Sequence, residues 1–391
     1  MRKFGVDERR NRLARRHFLA PAGSPPISTV IAGLVGLHAT DPATPYLSLW
    51  ARSASFSTVD LDSELYVQRS AVKQLAMRRT LWLVNAADLE VVQAAASDRV
   101  AVNESRRLAA DVRKAGLTAD GERWLEAACA AVVRHLGEHG PASSTELRAA
   151  LPELVGTYNP APGKRWGGEV PIAPRVLTVL SARGEIVRGP NDATWTTSRP
   201  RWATTADWLG ELRHPASSAD AQADLTRRWL RTFGPASVDD VKWWFGTTLT
   251  AARKALADIG AAQVDLSGKV GYAMPDDLDT EPDVEPWCAL LPGLDVTTMG
   301  WSERDWYIGA HRDQVFDRNG NAGPTAWCNG RVVGGWYQDG DARVELQLLE
   351  DPGRDARRAL QRRADELTEW LDGVRVSPRF PSPLSKSGTT A

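Results

Sequence analysis

The sequence predicts an α+β fold, and three observations carry that expectation. A tetrapeptide occurs twice, Gly140-Pro141-Ala142-Ser143 and Gly234-Pro235-Ala236-Ser237, each time at the same point in a helix, short helix, helix, hairpin order. From about residue 285 the pattern changes to short apolar and aromatic segments broken by Asn319-Gly320-Asn321 and Asn329-Gly330, which are hairpin turn signals. A charged amphipathic segment, residues 354–371, reads as a closing helix.

Each element follows from local pattern. Apolar residues at helical spacing (Trp124, Leu125, Ala128, Val132, Val133, Leu136) mark the first helix of one copy, and Leu225, Trp229, Leu230 and Phe233 mark that of the other. Ser143 with Glu146, and Ser237 with Asp240, have the spacing of capping boxes that open short helices over residues 146–151 and 239–244. Third helices are expected over 174–183 and 249–259. Strand pairs follow at 185–188 with 194–196 and at 262–265 with 270–272. That order is a winged helix, a variant of the helix-turn-helix. The first copy carries an extra glycine-rich basic loop, residues 152–171, in which Lys164, Arg165 and Trp166 are either solvated or placed to touch phosphate and base.

The N-terminal portion reads as a third, diverged copy. Helices are expected over 9–18, 27–37, 44–52, 62–75 and 88–96, with a strand over 77–84 that has Arg78 and Arg79 near its start. In the C-terminal portion, strands at 287–291, 306–308, 326–328, 332–336 and 344–349 suggest a small β-barrel, and the Pro- and Ser-rich end reads as disordered. The expected organisation is therefore an N-terminal winged-helix-like domain at 1–115, winged helices at 116–205 and 206–280, a barrel at 285–375 and a tail at 376–391.

Composition narrows the function. With 42% hydrophobic and 25% charged residues, the 391-residue chain is ordinary for a soluble protein. It has no apolar run of membrane-spanning length and no apolar signal core near Met1, so a cytoplasmic location is expected. Cys129, Cys288 and Cys328 are scattered, offer no CxxC spacing and read as reduced structural residues. The absence of HExxH and GxxxxGK[ST] strings argues against zinc hydrolases and P-loop enzymes, and no cofactor is expected. The net charge of −1 hides an asymmetry: residues 1–275 carry +7 and residues 276–391 carry −8. A positive portion joined to an acidic one is the distribution expected of a chain that meets an anion along one region.

The densest chemistry lies in Gly36-Leu37-His38-Ala39-Thr40-Asp41-Pro42, which precedes the helix expected at 44–52. An imidazole, a hydroxyl and a carboxylate fall within four residues. Asp41 also suits an N-cap with Pro42 in the first turn, and a lone histidine is commonly a packed one.

These residues, together with Arg12-Leu13-Ala14, Leu49-Trp50-Ala51-Arg52, Met77-Arg78-Arg79-Thr80-Leu81-Trp82-Leu83-Val84, Leu290-Leu291-Pro292-Gly293-Leu294-Asp295 and Gly330-Arg331-Val332-Val333-Gly334-Gly335-Trp336, resemble the winged-helix DNA-binding family that contains the bacterial AlkZ and YcaQ DNA glycosylases. The resemblance spans nearly the whole chain in order. It implies three tandem winged helices and a C-terminal barrel around a DNA channel. It also implies monofunctional removal of alkylated bases and, in those branches, unhooking of interstrand crosslinks. Where those glycosylases carry glutamine, an apolar residue, then glutamine or aspartate, this chain has His38, Ala39 and Thr40, with Asp41 one place later. The roles are then redistributed. Asp41 becomes the anion beside the developing positive charge, His38 the water-positioning or acid partner and Thr40 an orienting hydrogen bond. Arg52, Arg78 and Arg79 would hold phosphates of double-stranded DNA, the alternative for each being a solvated or ion-paired surface arginine. Tandem copies in one chain favour a monomer that wraps its DNA. A non-catalytic winged-helix DNA-binding protein, a regulator or damage sensor, is the alternative.

Overall fold

The computed structural model describes residues 1–20, 23–161, 163–164, 167–210 and 217–389. Helices and strands are mixed along the chain, as an α+β fold requires, and no described helix is long and apolar enough to cross a membrane. The chain divides into two compact units, one made of Met1–Leu61 with Ala223–Ala391, the other of Asp62–Gln222. The divisions expected near residues 115, 205 and 280–285 are not where it parts.

The reason at 276–285 is ionic. The helix Val6–Arg16 aims its arginines at that stretch: Arg12 and Arg16 bond the Asp277 carboxylate at 2.9 and 2.7 Å, and Arg12 also donates to the Asp279 carbonyl at 2.6 Å. Arg15 donates to the Asp283 carbonyl at 2.7 Å, and both Arg15 and Arg16 pair with Glu281. A segment that reads as a linker is therefore clamped, and the basic helix is neutralised by it.

In the Asp62–Gln222 unit, the segment expected as a helix over 62–75 instead ends as a strand. Ala71–Leu75 pairs antiparallel with Leu81–Asn85, so cross-strand packing overrides the helical spacing of its apolar residues. The turn between them, Met77–Arg79, holds Arg78 at φ 55° and Arg79 at φ 60°, both left-handed and neither glycine. The long helices Asp98–Lys114 and Gly121–His139 follow, the second started by the Asp120 side chain accepting from the Arg123 amide. Ser144–Ala150 opens on the expected capping box between Ser143 and Glu146, and Ala173–Ala182 is the next full helix. Leu125, Val132, Leu147, Val176, Ile186 and Trp202 share one buried core. The hairpin Ile186–Asn191 with Pro200–Thr204 is longer than its sequence suggests, because residues 194–196, expected as its second strand, form the turn. The Asn191 amide holds that turn by donating to three carbonyls, those of Ala193, Thr194 and Thr197.

The repeated tetrapeptide has the same structural role in both copies. Ala142 bridges Trp202 and Ala236 bridges Tyr272, each adding a short third strand to the hairpin of its own copy. The second copy comprises Ser218–Phe233, Val238–Phe245 with its Ser237–Asp240 capping box, Leu249–Asp258 and the hairpin Ala262–Leu266 with Lys269–Ala273.

In the unit containing the chain ends, the C-terminal strands Cys288–Leu291, Thr325–Cys328, Arg331–Gln338 and Val344–Leu348 pair in that order as an antiparallel meander. The sheet is open, where the sequence suggests a barrel. Four strands are too few to close around a filled interior. Residues 306–308, expected as a further strand, lie in the helix Asp305–Ile308. The helix Arg354–Leu371 packs against both edge strands. The end of the chain, expected to be disordered, carries the helix Pro383–Thr389, whose Leu384 is buried over Gly335. Many of the sixteen tryptophans are core residues; Trp229, Trp244 and Trp301 surround Phe233, and Trp327 stacks on Tyr307.

Glu104 is the electrostatic centre of the 62–222 unit. Its buried carboxylate takes two bonds from Arg79, at 2.6 and 2.8 Å, and pairs with Arg107 and Arg175. Burial alone would raise its pKa, but the Arg79 hydrogen bonds and the charges of Arg79, Arg175 and Arg107 outweigh burial and hold it below the usual carboxylate value. A lowered folded-state pKa stabilises the fold above the unfolded-state value and loses that stabilisation as pH falls through the folded one. Thermal melts should therefore show Glu104→Gln less stable than the parent at neutral pH, with the gap closing as pH drops below about 4; a gap independent of pH would rule out this linkage.

Candidate active site

The segment singled out in the sequence is a fixed loop. The short strand Leu37–His38 leads into a turn in which Asp41 accepts two backbone hydrogens, at its carbonyl from the Thr44 amide at 3.2 Å and at Oδ1 from the Ala43 amide at 3.1 Å. The helix Thr44–Trp50 then begins with Pro45 in its first turn, later than a cap at Asp41 would place it. The other carboxylate oxygen, Oδ2, accepts from the backbone amide of Arg379 at 2.9 Å. Burial pushes the Asp41 pKa up, against the opposing pull of the Arg379 and Ala43 amides and of the Arg379 charge. About 10 Å³ of open space lies beside Asp41, bounded by Thr44, Gly293, Trp336 and Pro378, room for about one water.

His38 is 3% exposed. Its Nδ1 accepts a long bond, 3.4 Å, from the Thr40 amide. Thr40 is half-buried, and its carbonyl accepts from the exposed Arg379 guanidinium at 3.4 Å. His38, Thr40 and Asp41 are thus brought together, with Arg379 joining them from 338 residues away. Sequence reading missed Arg379, and nothing local marks it.

Arg52 is corrected from a phosphate contact to a structural residue. It is 4% exposed and its guanidinium is fully engaged. Nε donates to the His17 carbonyl at 2.9 Å, Nη1 to the Ser48 carbonyl and Asp295 Oδ2, and Nη2 to Asp295 Oδ1 and Thr297 Oγ1. Asp295 is itself completely buried. Burial would raise its pKa, and the charge and hydrogen bonds of Arg52, with those of Ser48 and Thr297, hold it low instead. Asp295 belongs to the Leu290–Asp295 stretch already noted for its resemblance, but its pairing with Arg52 has no local signal.

The remaining basic candidates lie in the 62–222 unit. Arg78 is half-buried, its guanidinium carbon 5.8 Å from the Trp82 ring centre, while Arg79 keeps about half its side chain in solvent with its head pinned by Glu104. Lys164 is exposed; Arg165 and Trp166 lie outside the described residues. Among the described residues, no cluster of His, Cys, Asp and Glu is placed to hold a metal ion.

The fold as a whole has a solved counterpart. The chain is similar to the Streptomyces sahachiroi DNA glycosylase AlkZ, with a TM-score of 0.75 at 21% identity, covering 96% of this chain and 99% of that one; at this identity the likeness is one of fold. No curated protein matches. The profile of the family described as DNA glycosylase AlkZ-like matches residues 31–370, and the chain belongs to that family of DNA glycosylases, enzymes of DNA repair.

Removing one partner of a buried ion pair leaves an uncompensated charge, a loss of about 3–5 kcal/mol. Arg52→Ala should lower unfolding free energy by that amount in urea titrations, and Asp295→Ala should do likewise. A stable Arg52→Ala protein that has lost only DNA affinity would restore the phosphate role.

Proposed function

We propose that this chain hydrolyses the N-glycosidic bond of alkylated bases in double-stranded DNA, as a monofunctional glycosylase whose chemical centre is the loop His38 to Asp41. The observation that carries the reading is the fixing of that loop, within a chain of the AlkZ-like family, by bonds to both oxygens of one buried carboxylate. Leaving of the base develops positive charge at C1′ of the sugar. The reaction then needs a negative field near that carbon and a water held for attack. The Asp41 carboxylate supplies the charge and, through its two amide bonds, the rigidity. The His38 imidazole and the Thr40 hydroxyl orient the water. No lysine occurs between residues 36 and 44, so a Schiff-base step is not part of the scheme.

The two repeated copies support a tandem winged-helix reading: each has three helices, a hairpin and a tetrapeptide strand completing it. DNA would be held through its phosphates, and the Met77–Arg79 turn fits that task. Two consecutive arginines kept in the left-handed region at a hairpin tip are a strained arrangement, and such strain clusters at ligand-binding positions. Arg78, Arg79 and Lys164, with Arg165 and Trp166 of the same loop, are the proposed contacts. The protein would act as a monomer in the cytoplasm.

Single-turnover release of base from duplexes carrying N7- or N3-alkylated purines tests the chemistry. His38→Ala should slow release about 10²- to 10⁴-fold with duplex affinity within a few-fold of the parent. Asp41→Asn should slow release and also lower stability by about 1–3 kcal/mol, because an amide can accept only one of the two backbone hydrogens and turns a donor toward the other. Release unchanged in His38→Ala would remove that residue from the mechanism, and absence of release from every alkylated duplex by the parent would favour the non-catalytic binder.

Affinity for undamaged duplex should fall steeply with salt as counterions are displaced from phosphates. Arg78→Ala should lower the slope of log affinity against log salt by about one, and an unchanged slope would exclude Arg78 as a phosphate contact.

A further inference from the structure

Two of the three cysteines face each other across the open sheet. Cys288 and Cys328 are directly opposite in the register of Cys288–Leu291 with Thr325–Cys328. The neighbouring pair is joined by the Asn329 amide donating to the Trp287 carbonyl at 3.0 Å. Antiparallel ladders alternate, so Cys288 and Cys328 form a non-hydrogen-bonded pair, the closely spaced kind with Cα atoms about 4.5 Å apart. That spacing falls within the range a disulfide spans, and the two Sγ atoms are in contact at 2.6 Å.

Their surroundings differ. Cys328 is 6% exposed, whereas Cys288 is half-buried and lines an open cleft of about 610 Å³ together with Trp50, Trp287, Arg362 and Arg363. The interaction of the two sulfurs lowers the Cys288 pKa against the effect of burial, and the nearby Arg362 charge lowers it further. The same interaction, with burial, raises Cys328. Ionisation therefore begins at the cysteine that solvent reaches, and the thiolate is the form that reacts. Cys129 is a contrast within the chain, 2% exposed in the core of the 62–222 unit with burial pushing its pKa up to about 12.

We propose that Cys288 and Cys328 are a reactive dithiol that a low-molecular-weight disulfide, entering by the cleft, oxidises to a cross-strand disulfide. The Cys288 thiolate attacks one sulfur of the small disulfide, forming a mixed disulfide and expelling one small thiolate. Cys328 then loses its proton and attacks the Cys288 sulfur, forming the Cys288–Cys328 bond and expelling the second. Two protein thiols and one small disulfide become one protein disulfide and two small thiols. The bond closes the loop carrying Asp295 and Thr297, the partners of Arg52, and stabilises the oxidised fold by restricting that loop in the unfolded chain.

The test uses the full-length protein equilibrated in mixtures of reduced and oxidised glutathione, quenched in acid, alkylated with N-ethylmaleimide under denaturing conditions and weighed intact. Reduced protein should take three maleimides. Oxidised protein should take one, at Cys129, and retain no glutathione. Cys328→Ser should stop at the mixed disulfide with one glutathione on Cys288, Cys288→Ser should keep both its thiols on the same timescale, and Arg362→Gln should slow the first step. Oxidised parent should melt above reduced parent and return on adding dithiothreitol. Three maleimides taken up by folded parent at every glutathione ratio, or glutathione found on Cys328 while Cys288 stays free, would overturn the proposal.

Discussion

The position of the loop His38 to Asp41 depends on one buried ion pair. Arg52 follows the short helix that His38 to Asp41 lead into, and Asp295, 243 residues later, holds its guanidinium with two bonds in a place neither residue shares with solvent. Two charges in such a site are stable only when their remaining hydrogen-bonding capacity is met. Here Ser48, Thr297 and the His17 carbonyl meet it. The other end of the helix is held the same way, Thr44 donating its hydroxyl hydrogen to the Gly293 carbonyl at 2.7 Å. The loop thus has a fixed support beneath it, made by the turn that follows the first strand of the open sheet.

Charge is distributed by the fold as much as by composition. The first helix carries much of the basic excess of residues 1–275, yet Arg12, Arg15 and Arg16 face Asp277, Glu281 and neighbouring carbonyls. The two halves of the sequence, +7 and −8, in part cancel each other inside one unit. Basic side chains outside that cancellation, such as the exposed Lys164, contribute to a field felt by an approaching polyanion.

What the sequence made legible was local. Capping boxes, amphipathic helices, the tetrapeptide repeat and the Asn329-Gly330 turn are each written in a few adjacent residues, and each is present where expected. The proximity of His38, Thr40 and Asp41 was legible for the same reason, since they are near neighbours in the chain. The supports of that loop were not: Asp41 needs Arg379 and Arg52 needs Asp295, pairings with no periodicity to betray them. Residues 71–75 show the same limit at shorter range, since Ala-Val-Lys-Gln-Leu fits either period and only pairing with Leu81–Asn85 decides. The tail looked disordered by composition, yet a single leucine, Leu384, finds a glycine-floored seat on the sheet.

The order in which the ribosome delivers the chain has a consequence of its own. Asp62–Gln222 is continuous and can collapse as soon as it emerges, whereas Met1–Leu61 belongs with Ala223–Ala391. At roughly 5–20 residues per second, Arg52 waits on the order of 12–50 seconds for Asp295 to be made. Through that interval Leu47, Leu49 and Trp50 are apolar surface without a core, and a charged arginine and the site loop are without their anchors. The nascent chain is thus most open to aggregation and to chaperones at its N-terminal end, and the loop His38 to Asp41 is among the last parts of the molecule to become ordered.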